Sequence, residues 1–205
     1  MPQRPDVGTW NSRINLYGAE LFGLLDRYFR GIIGEDDLYL GMDAILQEGH
    51  ADSWRLGRQL GGDFSHVQGL DSLMGRIQAD NDSYFLRGFV QDLEDRVARY
   101  WDSDGPKRNM IGGRAKLYLG RMRGTANHAF MQASDPEVLF NWELRAEDHC
   151  GDCPQLAALS PYTRDANLGY PGDGSQQCRG NCKCILIRAD GVTGFGRADY
   201  LGGPE

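Results

Sequence analysis

From Trp10 to Ile33 the apolar residues Trp10, Ile14, Tyr17, Leu21, Leu24, Leu25 and Tyr28 recur every three or four positions. That spacing predicts an amphipathic helix, and Gly34 is expected to end it. Glu35-Asp36-Asp37 supplies the acidic residues that favour a helix start, and Leu38, Met42, Ile45 and Leu46 carry a second helix to about Leu60, where Gly61-Gly62 stops it. The two form a helical hairpin. Leu70, Leu73, Met74 and Ile77 predict a short third helix. Asp80-Asn81-Asp82-Ser83 then offers N-caps for a longer one with Phe85, Phe89, Leu93, Val97 and Tyr100 on one face. Such stripes call for a shared helical core.

After Asp104-Gly105-Pro106 the polar pattern changes. Lys107, Arg108, Arg114, Lys116, Arg121 and Arg123 follow with no acidic residue before Asp135. On a helix from about Arg114 to Gln132 these cations spread over a broad polar face around Leu117, Met122 and Phe130. A solvated face is the ordinary reading. The functional one makes Arg114, Lys116, Arg121 and Arg123 the partner-binding residues, for an acidic protein surface or DNA. Ser134-Asp135-Pro136 breaks the helix, and the partial alternation of Val138 to Leu144 predicts a strand, as does Cys184 to Arg188. Antiparallel pairing of the two brings Cys150 and Cys153 towards Cys182 and Cys184. The connection from Pro154 to Gln177 is long for a segment without structure of its own, and a metal clamp offsets its closure entropy.

The expected fold is therefore mainly α, helical over its first two thirds, with a small C-terminal α+β or irregular module stabilised by zinc. Its divisions are a helical domain at 1–104, a basic helix at 105–135 and a cysteine-rich metal-binding module at 136–205.

The zinc follows from the cysteines. All five, Cys150, Cys153, Cys178, Cys182 and Cys184, fall in the tail, among Gly, Asp, Asn, Lys and Pro residues suited to turns. Two close cysteines, a gap and further close cysteines match four ligands supplied by two short loops. Five thiols exceed four places, and His149 competes for one of them. Disulfides are the first alternative, but the number is odd, and Met1-Pro2-Gln3-Arg4-Pro5-Asp6 has neither the basic start nor the apolar run of a secretory signal. Buried free thiols are the second.

Composition narrows the function classes. The 205 residues are 40% hydrophobic and 25% charged, enough for a real core, and the net charge of −7 speaks against wholesale nucleic-acid binding. No apolar run approaches the roughly 20 residues of a membrane span. Catalytic constellations are missing: there is no His-x-Glu with Pro-Cys-x-x-Cys, no metalloprotease spacing among His50, His66 and His128, and no Walker pattern at Gly112-Gly113. The chain is expected not to be an enzyme and to take no small-molecule substrate.

Trp142, Glu147-Asp148, Cys150-Gly151-Asp152-Cys153, Tyr170-Pro171-Gly172 and the ending Asn181-Cys182-Lys183-Cys184 together resemble the C-terminal module of tailed-phage head morphogenesis proteins, the Mu-type minor head proteins. Arg114 to Met131, with Gly124-Thr125-Ala126-Asn127, resembles the helix before that module, so the resemblance spans roughly Gly113 to Ile187. It implies a structural virion component, made in the host cytoplasm and built into the head. The implied partners are the portal or major capsid protein, with contact to packaged DNA, and the implied role is head assembly or genome delivery. Family members often carry a His shortly before the last Cys pair, where this chain has Cys178-Arg179-Gly180. The resemblance thus offers Cys178 as a replacement ligand, leaving Cys182 or Cys184 surplus. The residues themselves favour Cys150, Cys153 and Cys182, with Cys178 and Cys184 contesting the fourth place. A zinc-containing DNA-binding or regulatory protein using the basic helix at 114–123 is the competing class.

Overall fold

The computed structural model describes residues 7–65, 68–97, 106–145, 150–166, 168–179 and 182–196. Helices dominate them: α1 (Val7–Phe29), α2 (Glu35–Gly61), α3 (Gln68–Val97), α4 (Pro106–Ala133) and the short α5 (Asp152–Ala158). Strands β1 (Phe140–Glu143) and β2 (Ile185–Arg188) complete the fold.

The stripe of α1 is buried as its spacing predicts, through Trp10, Ile14, Tyr17, Leu21 and Leu25. The helix ends earlier than expected. Gly31 takes the left-handed conformation, its N–H reaching Tyr28 O and the Ile32 N–H reaching Arg27 O, a Schellman closure. Gly34 instead caps the start of α2, where the Asp37 carboxylate accepts its N–H. Helix α2 stops at Gly62 as the sequence indicates.

Between 68 and 97 the expectation of two helices gives way to one. Asp80 to Ser83 runs through as helix because Asp82, read as a cap, is buried and bonded to His50 and Arg121. Tertiary pairing of that carboxylate outweighs local capping. The buried face differs too: Asp71, Gly75, Ala79, Asp82, Leu86, Phe89, Val90 and Leu93 face inward, while Leu70, Leu73, Ile77 and Phe85 are exposed. Small and polar residues let α3 approach α2 closely, and Arg58 at the end of α2 bonds Asp63, Ser65 and Asp71 across the turn. Tyr100 lies outside the described residues.

Helix α4 is the centre of the molecule, packed along α2 and touching α1 and α3. A Cβ on Gly57 of α2 would strike Ala126 O, so the two backbones nearly touch there. The core is continuous from Trp10 through α4 to Phe195 and includes Cys153, Cys182 and Cys184. Strands β1 and β2 pair antiparallel, Phe140 opposite Arg188 and Glu143 opposite Ile185, as the pattern of the two segments suggests. The connection between them has structure of its own: α5, a 3-10 turn at Arg164–Ala166, and Tyr162 bridging to Phe140 on the edge of β1. No helix among the described residues is long and apolar enough to cross a membrane.

Gly57→Ala is expected to lower the urea midpoint, with a loss of about 1–3 kcal/mol from overpacking; an unchanged midpoint contradicts the close α2–α4 contact.

Candidate metal centre

Three short segments deliver the thiols. Cys150 precedes α5 and Cys153 lies in its first turn; Cys178 ends the loop after Pro171; Cys182 and Cys184 lead into β2. The first two segments are tied by polar bonds, since Gly151 N–H donates to Gln177 Oε1 at 3.3 Å and Gln177 N–H donates to Asp152 Oδ2 at 2.8 Å. The strand register sets the third beside them.

All five cysteines are free thiols. Two triads can each hold a metal ion, Cys150 with Cys153 and Cys178, and Cys153 with Cys182 and Cys184; within each, the sulfurs lie within 4.8 Å of one another. Cys153, only 2% exposed, belongs to both. Its sulfur lies 3.2 Å from that of Cys150 and 3.9 Å from those of Cys178 and Cys182. Sulfurs about 2.3 Å from a tetrahedral ion are about 3.8 Å apart, so two of these separations fit such an edge as they stand. His149 lies outside the described residues.

The electrostatics favour thiolate most at Cys182. Hydrogen bonding from Cys184 brings the Cys182 thiol down to about 5 against the opposing effect of burial, and the Arg123 charge adds to the drop. Cys184, as that donor and as a buried group, is pushed above the usual thiol range, while the Trp142 indole beside it acts in the opposite sense. Burial raises Cys153 to about 12, helped by its bond to Cys150 and by the charge at Cys182. Cys178 is raised by burial and the same charge. Cys150 is lowered, because bonds with Cys153 and Cys178 together outweigh its burial. Metal uptake by this cluster therefore releases protons and strengthens as pH rises.

The basic residues divide. Arg123 is 1% exposed, and its Nη1 donates to Cys182 O at 2.5 Å. This corrects its expected place on a partner-binding face: the buried guanidinium is satisfied by the Cys182 carbonyl, and its charge favours the Cys182 thiolate. Arg114 pairs with Asp92 and lies over the Phe89 ring, Arg121 pairs with Asp82 and donates to Asp173 O, and Lys116 is half-buried.

Sequence reasoning missed what fastens the tail to α4. Asn127 donates through Nδ2 to Pro171 O and Phe195 O, and accepts the Phe195 N–H. One turn earlier, Gly124 lies so close to Gly172 O that a Cβ would collide with it. His50 Nδ1 meets Thr125 Oγ1 at 2.8 Å, and His50 Nε2 meets Asp82 Oδ2 at 3.1 Å, both buried. The histidine is a packed bridge joining α2, α3 and α4. His128 stacks on Tyr170, and His66 lies outside the described residues. The unbroken run of polar and small residues at 123–127, set between Met122 and Phe130, is the signal that marks this strip.

Set beside protein-family models, curated proteins and solved structures, the chain matches none of them.

Because Cys153 serves both triads, Cys153→Ser is expected to abolish stoichiometric metal, measured by elemental analysis of protein purified without chelator; full retention contradicts the site. Asn127→Ala removes a side chain that satisfies three buried backbone groups, each costing about 1–3 kcal/mol when orphaned. Limited proteolysis is expected to cut the tail of that variant faster while its helical circular dichroism persists; equal protection of both proteins contradicts the clamp.

Proposed function

We propose that the chain is a structural virion protein of the minor head, or head morphogenesis, type, whose tail is clamped by one zinc ion. The observation that carries this is spatial. Residues on which the resemblance rests, Gly124 to Asn127, Trp142, Cys150, Cys153, Tyr170 to Gly172, Cys182 and Cys184, are remote in sequence yet gather into one unit, the thiol cluster and its seat on α4.

Zinc suits an all-thiol site with no redox demand. We assign Cys150, Cys153, Cys178 and Cys182 as its ligands. Cys184 stands behind them, donating to Cys182 with the Trp142 indole beside it, as an outer group that tunes a ligand. Four sulfurs close the coordination sphere, which suits a structural ion and leaves no position for a catalytic water. Bringing Cys153 and Cys178 together across 25 residues costs roughly 3 kcal/mol of loop entropy. Structural zinc contributes about 10–16 kcal/mol in small peptide sites, ample to offset that cost. The role follows: a rigid tail on a helical body, docked on the portal or capsid during head assembly or genome delivery. The competing DNA-binding class draws on Arg114, Lys116, Arg121 and Arg123, and is weakened by the burial of Arg123.

Cys184→Ser is expected to keep its zinc; loss of the metal in this variant, when Cys178→Ser retains it, overturns the ligand set. For the role, the protein is expected to sediment with assembled heads or portals from infected cells. Finding it only in the soluble lysate, absent from purified particles, overturns the virion assignment.

A further inference from the structure

A cavity of about 310 Å³ that the structural role does not use is lined by Asp82, Phe85, Arg114, Leu117, Tyr118, Arg121, Gly174 and Arg179, the last of these next to Cys178 in the chain. Three of these eight residues are arginines, in a chain whose net charge is −7. Two aspartates accompany them: Asp82 pairs with Arg121 within the lining, and Asp92 pairs with Arg114 from α3. Each guanidinium has five N–H donors in a fixed fork, so one carboxylate partner leaves donors for another oxyanion. Arg179 is exposed and shows no ion pair among the described residues.

Arg179 is also held unusually. It is the one non-glycine residue among those described with a positive φ, 48°. The turn is fastened on both sides, since Arg179 N–H donates to Gln176 O at 2.8 Å and Cys182 N–H to Arg179 O at 3.4 Å. The metal loop thus carries this cation to the cavity wall. Opposite in character is Phe85, which leaves a large ring 61% exposed next to the arginines, with Leu117 and Tyr118 adding apolar surface. Burial and the Asp82 carboxylate keep the Tyr118 phenol protonated, so it adds no negative charge.

A confined set of arginines next to an open aromatic face is the combination that grips a phosphate and stacks a base. The volume, at the lower end of small-ligand pockets, suits one nucleotide and not a duplex. We propose that this cavity binds one nucleotide unit, its phosphate facing Arg114, Arg121 and Arg179 and its base facing Phe85. The phosphate belongs either to a free nucleotide or to one nucleotide of a single strand. The site stands independently of the virion role.

Calorimetric titration of the full chain with thymidine 5′-monophosphate, thymidine and a decathymidylate strand tests this. Binding of the monophosphate but not of thymidine is expected, weakening as salt rises. Arg179→Ala and Phe85→Ala, both at exposed positions, are each expected to reduce affinity roughly tenfold or more with circular dichroism unchanged. Equal affinity per site for monophosphate and strand points to a free nucleotide, and tighter strand binding points to single-stranded nucleic acid; either supports the site. Absence of binding by both phosphate probes, binding indifferent to both substitutions, or hexaglutamate binding as tightly with the same dependence on Arg179 overturns it.

Discussion

The seating of the tail depends on one strip of α4, from Arg123 to Asn127, where the helix turns buried polar groups towards the irregular turns around Pro171 and Phe195. Irregular backbone that leaves water must find partners for its N–H and C=O groups. Asn127 supplies them to Pro171 and Phe195, and Arg123 supplies one to Cys182. Without that strip the turns around Pro171 and Phe195 lose the partners that hold them on α4. The same helix face is anchored from the other side by His50 through Thr125, so the helical body and the tail share one polar spine.

The thiol cluster builds on that seat. A group of five sulfurs pressed together with Cys182 driven towards thiolate is poorly suited to remain as free thiols, since proton sharing is a weak substitute for a cation. Arg123 gives part of the compensation, and the proposed metal ion would give the rest. The proposed zinc fastens the connection between β1 and β2, and the proposed ligand set leaves Cys184 as a hydrogen-bond donor, which accounts for a fifth cysteine without a fifth coordination place.

Much of this was legible in the residues. The stripes of α1 and α2, the antiparallel pairing of the segments around Trp142 and Leu186, and the meeting of the cysteines all follow from local periodicity and spacing. Helix α3 was misread because the eye follows leucines: Leu70, Leu73 and Ile77 make the better stripe, yet α3 buries Asp71, Gly75, Ala79 and Asp82, whose value lies in close approach and in partners distant along the chain. Among the cations of α4, Arg123 is the one whose place differs from the expectation, for the same reason. Charge counted along a sequence says nothing of which cation is buried, and Arg123, which donates to Cys182 O, is the one among the described cations of α4. Long-range polar pairing has no period, so no window of sequence displays it.

X-ray absorption at the metal edge, on protein purified without chelator, tests the central claim most directly. One zinc per chain with four sulfur neighbours at about 2.3 Å is the predicted result; a shell led by nitrogen or oxygen, or a chain that takes up no metal when zinc is supplied in excess, contradicts it.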